Sequence, residues 1–184
     1  MERFRHTDRV TELLDREAIR DCIYTYCRGV DRADEESLRA SYWPDATDCH
    51  GSLADGPVDI FISKCLEIFK VGPRNIHQIS NILIEFQSDT RAVVESYFSA
   101  LQRAGDNQVY LAGRYCDLFE KRGEEWRVLE RTVVYDWVEP QKAPEEDEAT
   151  RFGGRTPIGC AYPDDQVYRL KKKSASLSSP GKRI

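Results

Sequence analysis

The segment QVYLAGRYCDLFEKRGEEWRVLERTVVYDW, residues 108–137, decides the fold. Two runs rich in β-branched and aromatic residues, 108–121 and 125–137, flank the turn-forming tripeptide Arg122-Gly123-Glu124, the pattern of paired antiparallel strands. NIHQISNILIEF (75–86) and AVVESYFSAL (92–101) have the same character, set off by Ser88-Asp89-Thr90 and Gly105-Asp106-Asn107. Four consecutive antiparallel strands are expected. In the last run Leu129, Arg131, Val133, Tyr135 and Trp137 share one parity, which predicts a guanidinium among apolar neighbours. Arginine is rarely buried alone. An ion pair or a stack under an aromatic ring would account for it, and so would an electrophilic clamp on an anionic oxygen.

Upstream, the period is helical. Val10, Leu13, Leu14, Ile19, Ile23, Tyr26, Cys27 and Val30 recur at three- and four-residue steps, predicting an amphipathic helix that starts near Thr7-Asp8. DEESLRASY (34–42) reads as a short second helix and DGPVDIFISKCLEIFK (55–70) as a third, with Pro57 tolerated near its start. Helices first and a meander afterward imply an α+β fold, with helices packed on one face of a curved antiparallel sheet. After Pro140, QKAPEEDEAT reads as an acidic linker and FGGRTPIGCAYPDDQVY as a Gly/Pro-rich arm docking without regular structure. The basic terminal run RLKKKSASLSSPGKRI (169–184) is expected to be disordered. The expected division is a domain over 1–138 and a linker, arm and tail over 139–184.

The chain has 184 residues, a net charge of -5 and 40% hydrophobic content, which suits a single core with an appendage. No apolar run approaches a membrane span, and Met1 to His6 are not followed by a secretory apolar stretch, so the cytoplasm is the expected compartment. Cys22, Cys27, Cys49, Cys65, Cys116 and Cys160 show no framework spacing and read as reduced. With only three histidines, His6, His50 and His77, and no H-E-x-x-H motif, no metal dependence is expected. The acidic balance gives no pull toward nucleic acid.

Asp31 follows Tyr24 by seven residues and Cys27 by four, so a helix persisting through Val30 would place it on the buried stripe. A carboxylate there opposes the helix macrodipole. Alternatively, Asp31 lies beyond the helix and caps the next one. His77, between Ile76 and Ile79, is either a satisfied core histidine or a base whose second ring nitrogen is held by a carboxylate.

Together YTYCRGVDRADEESLRASYWPDA (24–46), the histidine in NIHQISNILIEF and the closing EWRVLERTVVYDW resemble the SnoaL-like branch of the nuclear transport factor 2-like superfamily, over roughly residues 8–138. That branch includes scytalone dehydratase, hexachlorocyclohexane dehydrochlorinase and polyketide cyclases, with ketosteroid isomerase more distant. The resemblance implies a cone-like α+β barrel around an apolar pocket, a small-molecule substrate and a homo-oligomer, dimer or trimer. It implies that His77, paired with Asp31, removes a proton. Arg131, five residues beyond Trp126, matches the dehydrochlorinase's active-site arginine. Tyr24 is a candidate pocket hydroxyl by position, and His50 falls where the dehydratase has a catalytic tyrosine. Tyr42, Trp43, Tyr115 and Tyr135 are further candidates for substrate contact. The implied function is a cofactor-independent lyase for a hydrophobic, aromatic or polycyclic compound, acting by dehydration, dehydrohalogenation or retro-aldol loss of formaldehyde. An isomerase, a cyclase or a non-catalytic binding and oligomerisation module are the alternatives.

Overall fold

The computed structural model describes residues 8–70, 74–104 and 107–178. His6, the leader reading of Met1 to His6, the turn residues Gly105 and Asp106, and the tail beyond Ser178 lie outside the described residues. The elements run α1 (Arg9–Arg32), α2 (Glu35–Ser41), β1 (Tyr42–Cys49), β2 (Asp55–Pro57), α3 (Val58–Lys70), β3 (Arg74–Ser88), β4 (Arg91–Ala104), β5 (Asn107–Arg122), β6 (Glu125–Lys142), α4 (Glu148–Phe152) and α5 (Gln166–Ser178).

Asp8 caps α1 by accepting from the amides of Val10 and Thr11 at 3.1 and 3.0 Å. The buried stripe begins later than the period suggested: Val10, Leu13 and Leu14 are exposed, whereas Asp15, Ile19, Cys22, Ile23, Tyr26, Cys27 and Val30 are buried. Asp15 is tolerated there because Lys121 Nζ lies 2.8 Å away. Ala33 ends the helix in the left-handed conformation, φ 48°, and the amide of Asp34 donates to Gly29 O at 2.9 Å. Asp34, not Asp31, caps α2, accepting from the Ser37 amide at 3.2 Å and the Ser37 hydroxyl at 2.7 Å. Gly29 permits this sharp return, since a Cβ there would stand 2.8 Å from Leu38 Cγ.

The six strands form one curved, unclosed sheet in the order β2-β1-β6-β5-β4-β3. All neighbours are antiparallel except β1 and β6, which run parallel. The predicted meander is β3 to β6. β1 is an added element: Tyr42–Cys49 contains Pro44 and a register shift between Tyr42 and Thr47, so its period does not show in the sequence. Alternation on β4 buries Ala92, Val94, Ser96, Phe98 and Ala100 on the face that meets the helices.

Two bulges on the β5–β6 ladder, at Leu118/Phe119 and Ala112/Gly113, break the single parity expected for β6. Val128 rather than Leu129 pairs with inward-facing Phe119, and Trp137 pairs with Ala112 on the outer face. Arg131, Val133 and Tyr135 keep the inward face between the bulges. At Gly113 a Cβ would stand 2.1 Å from Val134 O, so only glycine admits the close approach that makes the second bulge.

The terminal segment differs from expectation. Residues 166–178 form a helix, because Tyr168 supplies a buried anchor at its first turn and lysines extend helices well. The Tyr168 hydroxyl donates to Asp34 Oδ2 at 2.7 Å, and the Tyr162 amide donates to Arg32 O at 2.7 Å. Asp165 accepts from the amides of Cys160 and Val167, both at 3.1 Å, and lies 3.4 Å from Arg32 Nε. The arm is thereby tied to the end of α1. The predicted acidic linker is shorter than its composition suggests, since β6 continues to Lys142 and Asp147 caps α4. No helix of the described residues is long and apolar enough to cross a membrane.

This tie is acid-sensitive. Burial works against the Asp34 charge, but hydrogen bonds from Ser37 and Tyr168 outweigh it and hold the carboxyl below its ordinary range. For Asp165, burial is likewise outweighed, by the Val167 and Cys160 amides. Carboxyls lowered in the folded state stabilise it above their ordinary value, and that contribution is lost as pH falls through the folded one. The arm is expected to release in acid, seen as collapse of the Tyr162 and Tyr168 ring shifts in NMR spectra. Tyr168→Phe should weaken docking by about 1 kcal/mol and move release to higher pH.

Candidate functional site

Between α1, α3 and the inward face of β3 to β6 lies a cavity of about 410 Å³. Phe61, Ile68 and Phe69 of α3 form one wall, and Phe98, Tyr115, Val133 and Tyr135 of the sheet form the other. The lining is mostly apolar, and its polar residues include two imidazoles, His77 and His50, together with Tyr26, Gln102, Arg103 and Gln108. Small-molecule sites share this form: an apolar cleft with a few placed polar groups. A neighbouring cleft of about 530 Å³ shares Arg103 and Gln108 with it and is walled by Asp31, Asn75 and the arm residues Arg151, Phe152 and Cys160.

Asp31 occupies the last turn of α1, half-buried at the end of the buried stripe, and faces β3. Its Oδ2 accepts from the backbone amide of His77 at 3.0 Å, and its Oδ1 lies 2.7 Å from His77 Nδ1. One carboxylate thus grips the backbone and the ring of the same residue, fixing the plane of the ring. With the Nδ1 proton shared toward Asp31, Nε2 carries the lone pair and is the nitrogen able to accept a proton. The side chains of His77 and Asp31 are 6% and 11% exposed, so the contact is shielded from water. An unpaired carboxylate in the last turn of α1 would cost roughly 0.3–1 kcal/mol against the macrodipole, and His77 offsets that cost.

Arg131 is 1% exposed and is absent from the cavity lining. Its Nε and Nη2 bond Asp117 at 2.8 and 2.6 Å, and its guanidinium stacks 4.1 Å from the Tyr26 ring and 4.3 Å from the Tyr115 ring. The structure therefore departs from the clamp reading: Arg131 is a structural ion pair beneath two cavity tyrosines. Burial disfavours its charge, but Asp117, aided by Tyr42 and Tyr26, holds it well above the ordinary arginine range.

His50 sits just after β1 and stacks on Phe61 with centroids 4.2 Å apart. Its Nδ1 bonds Asp48 Oδ1, and its Nε2 lies 3.1 Å from the Tyr26 hydroxyl. The other Asp48 oxygen accepts from the Tyr42 hydroxyl at 2.6 Å. Tyr42 is consequently buried behind the cavity and does not line it. Trp43 points elsewhere: its indole donates to Glu120 O at 2.9 Å, between the guanidinium groups of Arg122 and Arg127. Tyr24 is 50% exposed, in an open groove of about 340 Å³ that Asp31 and His77 also line from their outer side. Of the substrate contacts expected from sequence, the structure gathers His50, Tyr115 and Tyr135 around the cavity and leaves Tyr24, Tyr42 and Trp43 outside it.

Sequence reading missed Tyr26, Asp48, Phe61, Phe98 and Asp117. Two of these had a signal. Asp117 shares the parity of Tyr115 and Phe119 as Arg131 shares that of Val133, and Asp48 stands two residues before His50. The thiols of Cys22, Cys27 and Cys65 are buried and pushed up to about 12 by desolvation, which makes them poor nucleophiles. Among the described residues no group of three or more His, Cys, Asp or Glu side chains is placed to hold a metal ion.

Comparison with solved structures places a protein from Novosphingobium aromaticivorans, described as a scytalone dehydratase, at 25% identity and TM-score 0.63, covering 70% of this chain and 89% of that one. Hexachlorocyclohexane dehydrochlorinase LinA-type3 from Novosphingobium barchaimii is similar at 21% identity and TM-score 0.64, covering 73% and 94%. A third protein, described as the beta subunit of an aromatic-ring-hydroxylating dioxygenase from Novosphingobium aromaticivorans, shares 20% identity and a TM-score of 0.57, covering 68% and 92%. Comparison with curated proteins gives no significant match. A family model for the SnoaL-like domain matches residues 11–132, from the first turns of α1 to the Arg131 segment of β6, and the chain belongs to that family.

Proposed function

We propose that the protein is a cofactor-independent lyase acting on a hydrophobic, aromatic or polycyclic small molecule. The observation that carries this reading is the double grip of Asp31 on His77, which leaves Nε2 as a proton acceptor at an apolar cavity. His77 removes a proton from carbon or from a substrate hydroxyl. Asp31 keeps the tautomer and stabilises the imidazolium that forms. Loss of water, of hydrogen halide, or of formaldehyde by retro-aldol cleavage all need this one base. Phe61, Phe69, Phe98 and Tyr115 present aromatic surface on both sides of the cavity, which favours a flat unsaturated ring.

The test is a screen of the purified protein, without added cofactor, against aromatic diols, polyketide-like compounds, steroids and chlorinated cyclohexanes, read by mass. A product lighter by water, hydrogen chloride or formaldehyde supports the lyase. An unchanged mass with a moved double bond or a closed ring selects an isomerase or cyclase instead. No conversion of any compound sinks the enzymatic reading.

The outer face of the sheet favours self-association. Ile76, Leu101 and Tyr110 are paired neighbours across β3, β4 and β5, all exposed, and Tyr97 and Trp137 extend the apolar patch. A second copy of this chain is the proposed cover. Sedimentation velocity should show a dimer or trimer that Leu101→Asp converts to monomer.

A further inference from the structure

Two imidazoles line one cavity, and each is held by its own carboxylate: His77 by Asp31 and His50 by Asp48. The lyase reading uses the first. The second has the more deeply buried carboxylate, Asp48 at 1% exposed, and it belongs to a continuous buried chain of polar contacts. Asp117 bonds Arg131, Arg131 Nη1 reaches the Tyr42 hydroxyl at 3.3 Å, and Tyr42 donates to Asp48. Asp48 bonds His50 Nδ1, and His50 Nε2 meets the Tyr26 hydroxyl, which also hydrogen-bonds Tyr115. The chain thus runs from the buried inward face of β5 and β6 to the cavity wall and ends at Tyr26, a residue that lines it.

A structural role alone would not require this end point. The chain contains two buried carboxylates, Asp48 and Asp117, and one guanidinium, Arg131. A proton on His50 closes that balance, and both nitrogens then have acceptors: Asp48 for Nδ1–H and the Tyr26 oxygen for Nε2–H. Other groups facing this cluster include Cys22 and Cys27 of α1, Cys49 of β1, Cys65 of α3, Tyr115 of β5 and Tyr135 of β6. None brings a permanent positive charge. Burial, with the Tyr115 and Tyr42 hydroxyls, pushes the Tyr26 hydroxyl well above the ordinary tyrosine range, so Tyr26 does not give up its proton unless another replaces it. His50 is positioned to replace it.

We propose that His50, acting through the Tyr26 hydroxyl and held by Asp48, is the general acid that protonates the departing oxygen; this rests on the lyase reading of the same cavity. In the elimination of water, His77 Nε2 takes the carbon-bound proton and the C–H electron pair becomes the new C=C bond. The C–O bond breaks toward oxygen, which takes the Tyr26 proton as the Tyr26 oxygen takes the Nε2 proton of His50. Water leaves, His77 is protonated and His50 neutral. Solvent carries one proton from His77 back to His50 before the next turnover.

A leaving group that needs no proton separates the two imidazoles. The probes are 3-hydroxy-1-tetralone and 3-chloro-1-tetralone, which share a carbon acid and lose water or chloride to give the same naphthol. With the full-length protein, His50→Gln should lower the rate of water loss by about 10²-fold or more and slow chloride loss far less. Tyr26→Phe, which keeps the ring that stacks on Arg131, should do the same, guarding against a folding defect in the first variant. Equal effects of both variants on both probes, or no effect on either, overturns the assignment of His50 while leaving the lyase reading in place. A wild-type protein inert toward both probes overturns the assignment of His50 to the dehydration of a cyclic ketone, and the lyase reading then stands or falls by the wider screen.

Discussion

Arg131→Met is expected to destabilise the protein by about 3–5 kcal/mol, because it strands the Asp117 carboxylate in a site where neither residue is appreciably exposed. The two hydrogen bonds of 2.8 and 2.6 Å form a planar fork, the geometry in which a guanidinium best offsets its own desolvation. Removing it also strips the cation from between the Tyr26 and Tyr115 rings. Urea unfolding of the single and double variants measures the effect. The double variant Arg131→Met with Asp117→Leu leaves no unpaired charge and should recover most of the loss, since a buried ion pair is often no more stabilising than an apolar pair of similar volume. A single variant within about 1 kcal/mol of wild type would show that Asp117 finds another partner or a proton, and would defeat this account. Turnover by a stable double variant would separate the support Arg131 gives the cavity wall from any part in the chemistry.

The residues that could be read from sequence are those whose pattern is local. Counting turns along α1 offered the half-buried stripe position that Asp31 takes, beside the cap role that Asp34 fills, and β3 to β6 followed from β-branched runs between turn residues. Arg131 was correctly placed on the inward face of β6, but its partner Asp117 lies on the neighbouring strand, and no single-strand period encodes which cross-strand residue answers it. Trp137 was placed on the wrong face because the bulge at Ala112/Gly113 reverses the parity beyond Tyr135. Strand β1 escaped notice because Pro44 and a register shift remove its alternation, and its loss hid the Asp48 and His50 pair as well. The Lys/Ser-rich end was misread because composition averages away one residue, Tyr168, whose burial against Asp34 seeds α5. Tertiary pairing thus decides what composition leaves open.

His77→Gln is expected to lower turnover of a cognate substrate by about 10²–10⁴-fold, the usual contribution of a positioned general base. The amide cannot accept a proton at a position matching Nε2, while the backbone amide at this position still donates to Asp31, so β3 stays docked on α1. The cost in stability should stay near 1 kcal/mol, the worth of one side-chain hydrogen bond. Asp31→Asn gives the complementary result. An amide has one acceptor oxygen where the carboxylate has two, so the backbone of His77 and its ring compete for it. Turnover should fall, because the ring loses its fixed tautomer. Stability should change little or rise, because the same substitution removes a negative charge from the last turn of α1. A structural Asp31–His77 pair would behave the other way, with both variants losing stability together and activity following only as the fold is lost. Measuring kcat and the urea midpoint on the same preparations decides between them, and full activity in a folded His77→Gln variant would remove His77 from the base role.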